Sequence, residues 1–321
     1  MHNEVTQAPL PEVQEEQKTP KKQPPRPEAI LGILALLAAA LLAVTFVNCR
    51  PYITTTVSEE DPEAAIRHQE DSVIVLPMPE RVPEPMPAET LPIEPENLPE
   101  LNPYGRHDFQ YNRFNYLICE ETDSYSGIDV SAYQGDIDWE RVKKSGIQFA
   151  IIRLGYRGYG TGKLVEDDYA RKNLDGAAEA GLAVGAYFFS QALNIKEVDQ
   201  EIAFLLKILG DRKLDMPIIL DWEIPTSDAR TAGMDARTLT DLQLHFCRTM
   251  AEKGFVPMVY FNWYMSSRLL HLTELEQYPF WLALYQDRMT YPYKVEMWQY
   301  TDKGRVPGIQ GNVDLNVYMP D

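Results

Sequence analysis

The stretch "MPIILDWEIP", Met216–Pro225, carries an apolar run that ends in two carboxylates, Asp221 and Glu223, with Trp222 between them. Side chains two apart on a strand point to the same side. Asp221 and Glu223 therefore share a face, and Trp222 is turned the other way, toward packing. Ile218 to Leu220 read as the buried part of a strand, and the two acids as its emergence into a cleft. Two like charges held that close are unfavourable unless something uses them.

The neighbouring sequence repeats the theme. Strand-like runs stand at "GIDVS" (127–131), "FAIIRLG" (149–155), "LAVGAYFFS" (182–190), "PIILDWE" (217–223), "PMVYFN" (257–262), "FWLALY" (280–285), "VEMWQY" (295–300) and "VDLNVY" (313–318). Amphipathic helical patterns fall between them at 138–145, 167–180, 195–209 and 236–253. Such alternation predicts parallel β/α units, and eight strands in this span predict an irregular (β/α) barrel of the TIM-barrel kind. The last three strands leave little room for helices, so the irregularity is expected there.

Reactive residues of such barrels come from the C-terminal ends of the strands. Asp129 ends the first strand, Asp221 and Glu223 end the fourth, and Asp314 lies within the last. Four carboxylates are thus expected at one mouth, where burial and mutual repulsion keep one protonated as a general acid beside an ionised partner. That pairing suits glycosidic bond cleavage. Aromatic residues at or near strand ends, Tyr133, Tyr187, Tyr260, Trp281, Tyr285 and Trp298, are candidate sugar-binding rings; packing in the core or rim is the competing reading for each. Carboxylates at a barrel mouth also suit Mg²⁺, but no histidine joins them, and the expectation is no metal and no cofactor. "GYRGYGTG", 155–162, follows a strand but lacks GxGxxG and a GK[ST] ending, so it reads as a loop beside the cleft and not a phosphate cradle.

Composition narrows the class further. The 321 residues carry a net charge of -18, and residues 127–321, with 27 acidic and 21 basic side chains, account for -6 of it. An acidic chain without a basic patch does not fit nucleic acid as a partner. Cys49, Cys119 and Cys247 form no CxxC pair and no metal-ligand spacing. Cys119 and Cys247 either pair outside the cell or stand as two unpaired thiols, Cys247 in a helix core.

Residues 29–47, "AILGILALLAAALLAVTFV", contain no charge. Nineteen such residues fit a membrane span, which needs about 20. Lys18, Lys21, Lys22 and Arg26 precede the run and one Arg50 follows it, which puts the N-terminus in the cytoplasm. A cleaved signal peptide and a lipid anchor on Cys49 are the competing readings. Proline and glutamate then dominate 51–103, a composition that favours an extended, unpacked chain. The expected order is a cytoplasmic tail (1–28), a transmembrane helix (29–48), an extracytoplasmic disordered linker (49–126) and a catalytic barrel (127–321). Such a chain is expected in the bacterial cell membrane, single-pass and monomeric.

"GIDVSAYQGDIDWERVKKSGIQFAIIRLGYRG", "GAYFFS", "ILDWE", "WLALY" and "MWQYTDKGRVPGIQGNVDLNVY" together resemble the glycoside hydrolase family 25 lysozymes, the Chalaropsis-type N-acetylmuramidases. The resemblance spans 127–318 and implies a cofactor-free irregular barrel that hydrolyses the β-1,4 bond between N-acetylmuramic acid and N-acetylglucosamine in peptidoglycan. It also implies Glu223 as general acid, Asp221 as its partner toward the substrate's acetamido group, and Asp129 and Asp314 as acids that position the sugar and tune the pair. No cell-wall-binding repeats follow the barrel motifs; the membrane segment and its linker stand in for them, which points to remodelling of the producer's own wall. A peptidoglycan-binding protein without turnover, and a hydrolase of other N-acetylglucosamine polymers, are the alternatives.

Overall fold

A computed structural model describes residues 98–320. The expected cytoplasmic tail, the expected membrane segment 29–48 and the linker up to residue 97 lie outside the described residues. Among the described residues no helix is long and apolar enough to cross a membrane.

Eight strands close a barrel. In chain order these are β3 (Tyr125–Val130), β4 (Phe149–Arg157), β6 (Ala183–Ser190), β7 (Ile218–Trp222), β8 (Pro257–Asn262), β9 (Phe280–Ala283), β10 (Met297–Gly304) and β11 (Val313–Tyr318). Each pairs with the next, and β3 pairs with both β4 and β11 to complete the ring. All eight coincide with the runs read from sequence. Helices α1 (Trp139–Lys144), α2 (Ala170–Glu179), α3 (Ile195–Leu209) and α4 (Ala236–Glu252) follow the first four strands, and the short α5 (Trp263–Arg268) and α6 (Leu272–Leu275) follow β8. Local chemistry sets their ends. Asn194 and Asp235 accept from the backbone N–H groups of Glu197 and Thr238 to cap α3 and α4, and Gly210, at a φ of 60°, terminates α3.

The parallel expectation fails at one strand. β11 runs antiparallel to both β10 and β3. Only residues 305–312 join β10 to β11, with no helix among them; so short a connection returns the chain antiparallel, whereas a parallel return needs a longer crossover. A further small strand, β5 (Leu164–Glu166), doubles back antiparallel on the end of β4, so the glycine-rich stretch after Gly155 is the turn of a β-hairpin.

Residues 98–126, assigned to the linker from composition, also differ from expectation. They carry a hairpin of β1 (Phe109–Tyr111) and β2 (Leu117–Cys119). Phe109, Tyr116, Leu117 and Cys119 are buried, and the Phe109 ring meets Trp298 edge-on at 5.2 Å. These apolar residues give the segment a packed face that the proline-rich stretch before it lacks. Cys119 and Cys247 are both buried free thiols, Cys247 within α4.

Two apolar layers result. Phe149, Ile151, Ile219, Met258, Tyr260, Trp281 and Met297 fill the barrel. The residues one position along, such as Ile152, Leu220, Val259, Leu282 and Trp298, face the helices and the hairpin. Inside or outside is thus decided by odd or even position along each strand, and that parity positions the site.

Candidate active site

On β7 the inward parity passes from Ile219 to Asp221 and then, one residue beyond the strand, to Glu223. Trp222 takes the opposite parity: it is fully buried in the outer layer and its indole N–H donates to the Ala192 carbonyl at 2.9 Å. It is packing, as its place between the acids predicts. On β3 the inward residue near the strand end is Asp129, and Asp314 lies directly across from it on β11. Because β11 is reversed, the start of that strand reaches the mouth. The reversal is what brings Asp314 to Asp129.

The four acids differ in surroundings. Asp129 is buried, and its Oδ2 accepts from the Gln299 and Asn316 side-chain amides at 2.8 Å each. Burial raises its pKa and the amides oppose the rise. Asp314 has no such amide; burial and the neighbouring Asp129 push it up to about 9, and its carboxyl hydrogen-bonds to Asp129. Asp221 is raised well above the ordinary range by burial, then by Glu223 and Asp129, and its Oδ1 is buried without a hydrogen-bond partner. Glu223 is half-buried; burial raises it, while a hydrogen bond with Tyr260 opposes the shift. Low dielectric and like charges therefore hold protons in this mouth at a pH where free carboxyls would be ionised. A carboxyl kept protonated in this way is the equipment of a general acid.

Among the described residues, one cation faces the cluster. Arg153, on the inward parity of β4, lowers the Asp221 pKa and is itself held by Asp167 Oδ2 at 2.8 Å. Its guanidinium also lies 5.0 Å from the Tyr133 ring centroid and 5.5 Å from that of Tyr156. Arg153, Gln299 and Asn316 escaped the sequence reading, although each lies two positions from a residue of known inward direction and parity alone points to them.

The candidate sugar-binding aromatics divide. Tyr133 is exposed on the turn after β3. Tyr187 and Tyr285 are half-buried on the inward parity, and Tyr260 is buried against Trp281 at 4.9 Å between centroids. Trp281 is buried and donates from Nε1 to Asn316 Oδ1 at 2.9 Å; the Tyr285 hydroxyl donates to Gln299 Oε1 at 3.0 Å. These two rings thus orient the amides that hold Asp129. Trp298 is not brought to the mouth. It is fully buried on the outward parity, with its indole N–H on the Leu284 carbonyl at 2.8 Å and its ring against Phe109 and Tyr300. Among the described residues no three His, Cys, Asp or Glu side chains are arranged to hold a metal ion.

Comparison with known proteins gives a consistent result. The family model described as glycosyl hydrolases family 25 matches residues 128–309. YegX of Escherichia coli (strain K12) is 31% identical over 232 residues, covering 66% of this chain and 76% of that one. Lysozyme M1 of Streptomyces globisporus is 28% identical over 209 residues, 62% of this chain and 69% of that one. Among solved structures, the modular autolysin LytC from Streptococcus pneumoniae superposes with a TM-score of 0.55 at 24% identity, a likeness of fold; the match covers 65% of this chain and 50% of that one.

Proposed function

Since this chain belongs to glycosyl hydrolases family 25 and is a glycoside hydrolase of the lysozyme type, we propose that it cleaves the β-1,4 bond between N-acetylmuramic acid and N-acetylglucosamine in peptidoglycan. The observation that carries this reading is the pair Asp221 and Glu223, one inward position apart at the mouth, both with pKa values raised by burial. Glu223 serves as the general acid that protonates the leaving oxygen, and Asp221 steadies the positive charge that develops at the anomeric carbon. Asp129 and Asp314 set the charge around them, and Tyr133, Tyr187, Tyr260 and Tyr285 border the sugar. Mass spectrometry of the fragments released from purified wall tests the assignment. Reducing-end muramic acid is the expected product; reducing-end glucosamine, or no product, would overturn it.

The same proposal extends to place. The uncharged run 29–47, with basic residues before it, supports a single-pass anchor in the bacterial cell membrane, N-terminus inside, with the barrel tethered outside near the producer's own wall. Tethering raises the local concentration of wall and favours remodelling over lysis of other cells. Retention in the membrane fraction, with the barrel cleaved by protease added from outside, is the expected result. Release of a truncated form into the medium would sink this part.

A further inference from the structure

The pairings of β7 end at Trp222 toward β6 and at Leu220 toward β8, and the backbone of Glu223 lies beyond both. Two side chains from outside the strand grip its carbonyl instead. Gln191, directly after β6, donates to it from Nε2 at 2.7 Å, and the hydroxyl of Thr231, in the turn between β7 and α4, reaches the same oxygen at 3.2 Å. The one Thr231 hydroxyl proton is shared between that carbonyl and Gln191 Oε1, at 3.0 Å, and Gln191 Nε2 also donates to the Ser190 carbonyl at 2.9 Å. Both side chains are fully buried, and their polar atoms are spent inside this network.

The support runs further back. Ser190 Oγ accepts from the Ala192 N–H at 3.2 Å and donates to the buried Glu201 Oε2 at 2.6 Å, which fixes the turn that carries Gln191. The Ala192 carbonyl in turn takes the Trp222 indole N–H. The turn after β6 therefore holds two successive residues, Trp222 by its ring and Glu223 by its backbone, while the Glu223 carboxyl meets Tyr260. Apolar side chains would fill the same space without the cost of burying an amide and a hydroxyl. What the polar pair adds is direction: a proton donor must stand within hydrogen-bond reach of the leaving oxygen, and a misplacement of about 1 Å costs about 10²-fold. Resting on the reading of Glu223 as the general acid, we propose that Gln191 and Thr231 are positioning residues. They fix the backbone of Glu223 so that its carboxyl is presented to the glycosidic oxygen, and they act on turnover without touching the sugar.

The test measures kcat and KM of the full chain on soluble glycan strands, referred to the folded fraction read by near-ultraviolet circular dichroism. Thr231→Val keeps the shape and removes the hydroxyl; Gln191→Met removes the amide at similar length. Each is expected to lower kcat about ten- to a hundredfold with KM unchanged. Thr231→Ser, which retains the hydroxyl, is expected to keep native kcat. Both damaging changes are then repeated in the Glu223→Gln background, where no acid remains to be misplaced and the further loss should vanish. The same fold-loss in that background, native kcat in both single variants, a rise in KM alone, or an equal loss in Thr231→Ser would overturn the positioning role. Thr231→Val, the milder change, carries the test if the Gln191 variant does not fold. Native turnover in Glu223→Gln alone would strike the general-acid reading instead, and that result is read separately from the other variants.

Discussion

Asp314 faces Asp129 across the antiparallel pair β11–β3, and the hydrogen bond their carboxyls share raises the pKa of Asp314 and lowers that of Asp129. The asymmetry follows from the amides: Gln299 and Asn316 both donate to Asp129 Oδ2, and no amide serves Asp314. Asp129 is thereby favoured as the ionised member. Asp129→Ala would leave two buried amide donors without an acceptor, a loss of about 2–4 kcal/mol. Asp314→Asn keeps a donor toward Asp129 and should cost under about 1 kcal/mol. Urea unfolding of the two variants checks the contrast.

Glu223→Gln preserves the shape of the side chain and an oxygen for Tyr260, but has no proton to give. Turnover should fall by about 10² to 10⁴, with the urea midpoint little changed. Wild-type turnover in this variant would remove Glu223 from the acid role.

Stability and activity should both respond to alkali. The folded-state pKa values of Asp129, Asp221, Glu223 and Asp314 are all raised, so the folded chain keeps protons that the unfolded chain releases near pH 4. The stability these protons represent is full below about pH 4 and is lost as pH rises through the folded values, about 9 for Asp314. Urea midpoints should therefore drop between mildly acidic and alkaline pH. Turnover should decline as Glu223 loses its proton, which a pH–rate profile reads directly.

Trp298 separates packing from binding. Its ring fills the space between the barrel and the hairpin, so Trp298→Ala should cost about 3–5 kcal/mol through the cavity it leaves. The folded fraction should keep its KM, since no part of the ring faces the mouth. A large rise in KM without loss of stability would contradict this placement.

Behind the glycine-rich turn, Arg157 Nε meets Glu201 Oε1 at 2.7 Å, both buried, and Ser190 donates to Glu201 Oε2 at 2.6 Å. Even so paired, burial pushes Glu201 up to about 7. Arg157→Met strands that carboxyl and should cost about 3–5 kcal/mol, whereas Arg157→Met with Glu201→Leu should recover much of the loss. Thermal melts of the single and double variants decide it.

The barrel was legible because apolar runs and period-2 alternation coincide: Ile219, Asp221 and Glu223 share a direction that local geometry dictates. Asp129 and the pair on β7 followed from the same rule. The direction of β11 did not, since the sequence of "VDLNVY" suits either orientation and only the short 305–312 connection distinguishes them. The hairpin was hidden by composition, because its few buried residues, Phe109, Tyr116 and Leu117, follow directly on proline-rich chain. Trp298 illustrates the limit of reading strand ends: its nearness to the mouth along the chain was visible, while its outward parity needed the register of β10 with β9.

The reversed β11 also bears on how the protein is made. It is the last of the eight barrel strands to leave the ribosome, and it closes the ring between β10 and β3. Until it is in place, both of those strands present open edges, which are templates for wrong pairing, and Asp129 lacks both Asp314 and the Asn316 amide. Closure of the sheet and completion of the acid cluster are one event. A chain halted before Val313 is thereby expected to be aggregation-prone and without activity.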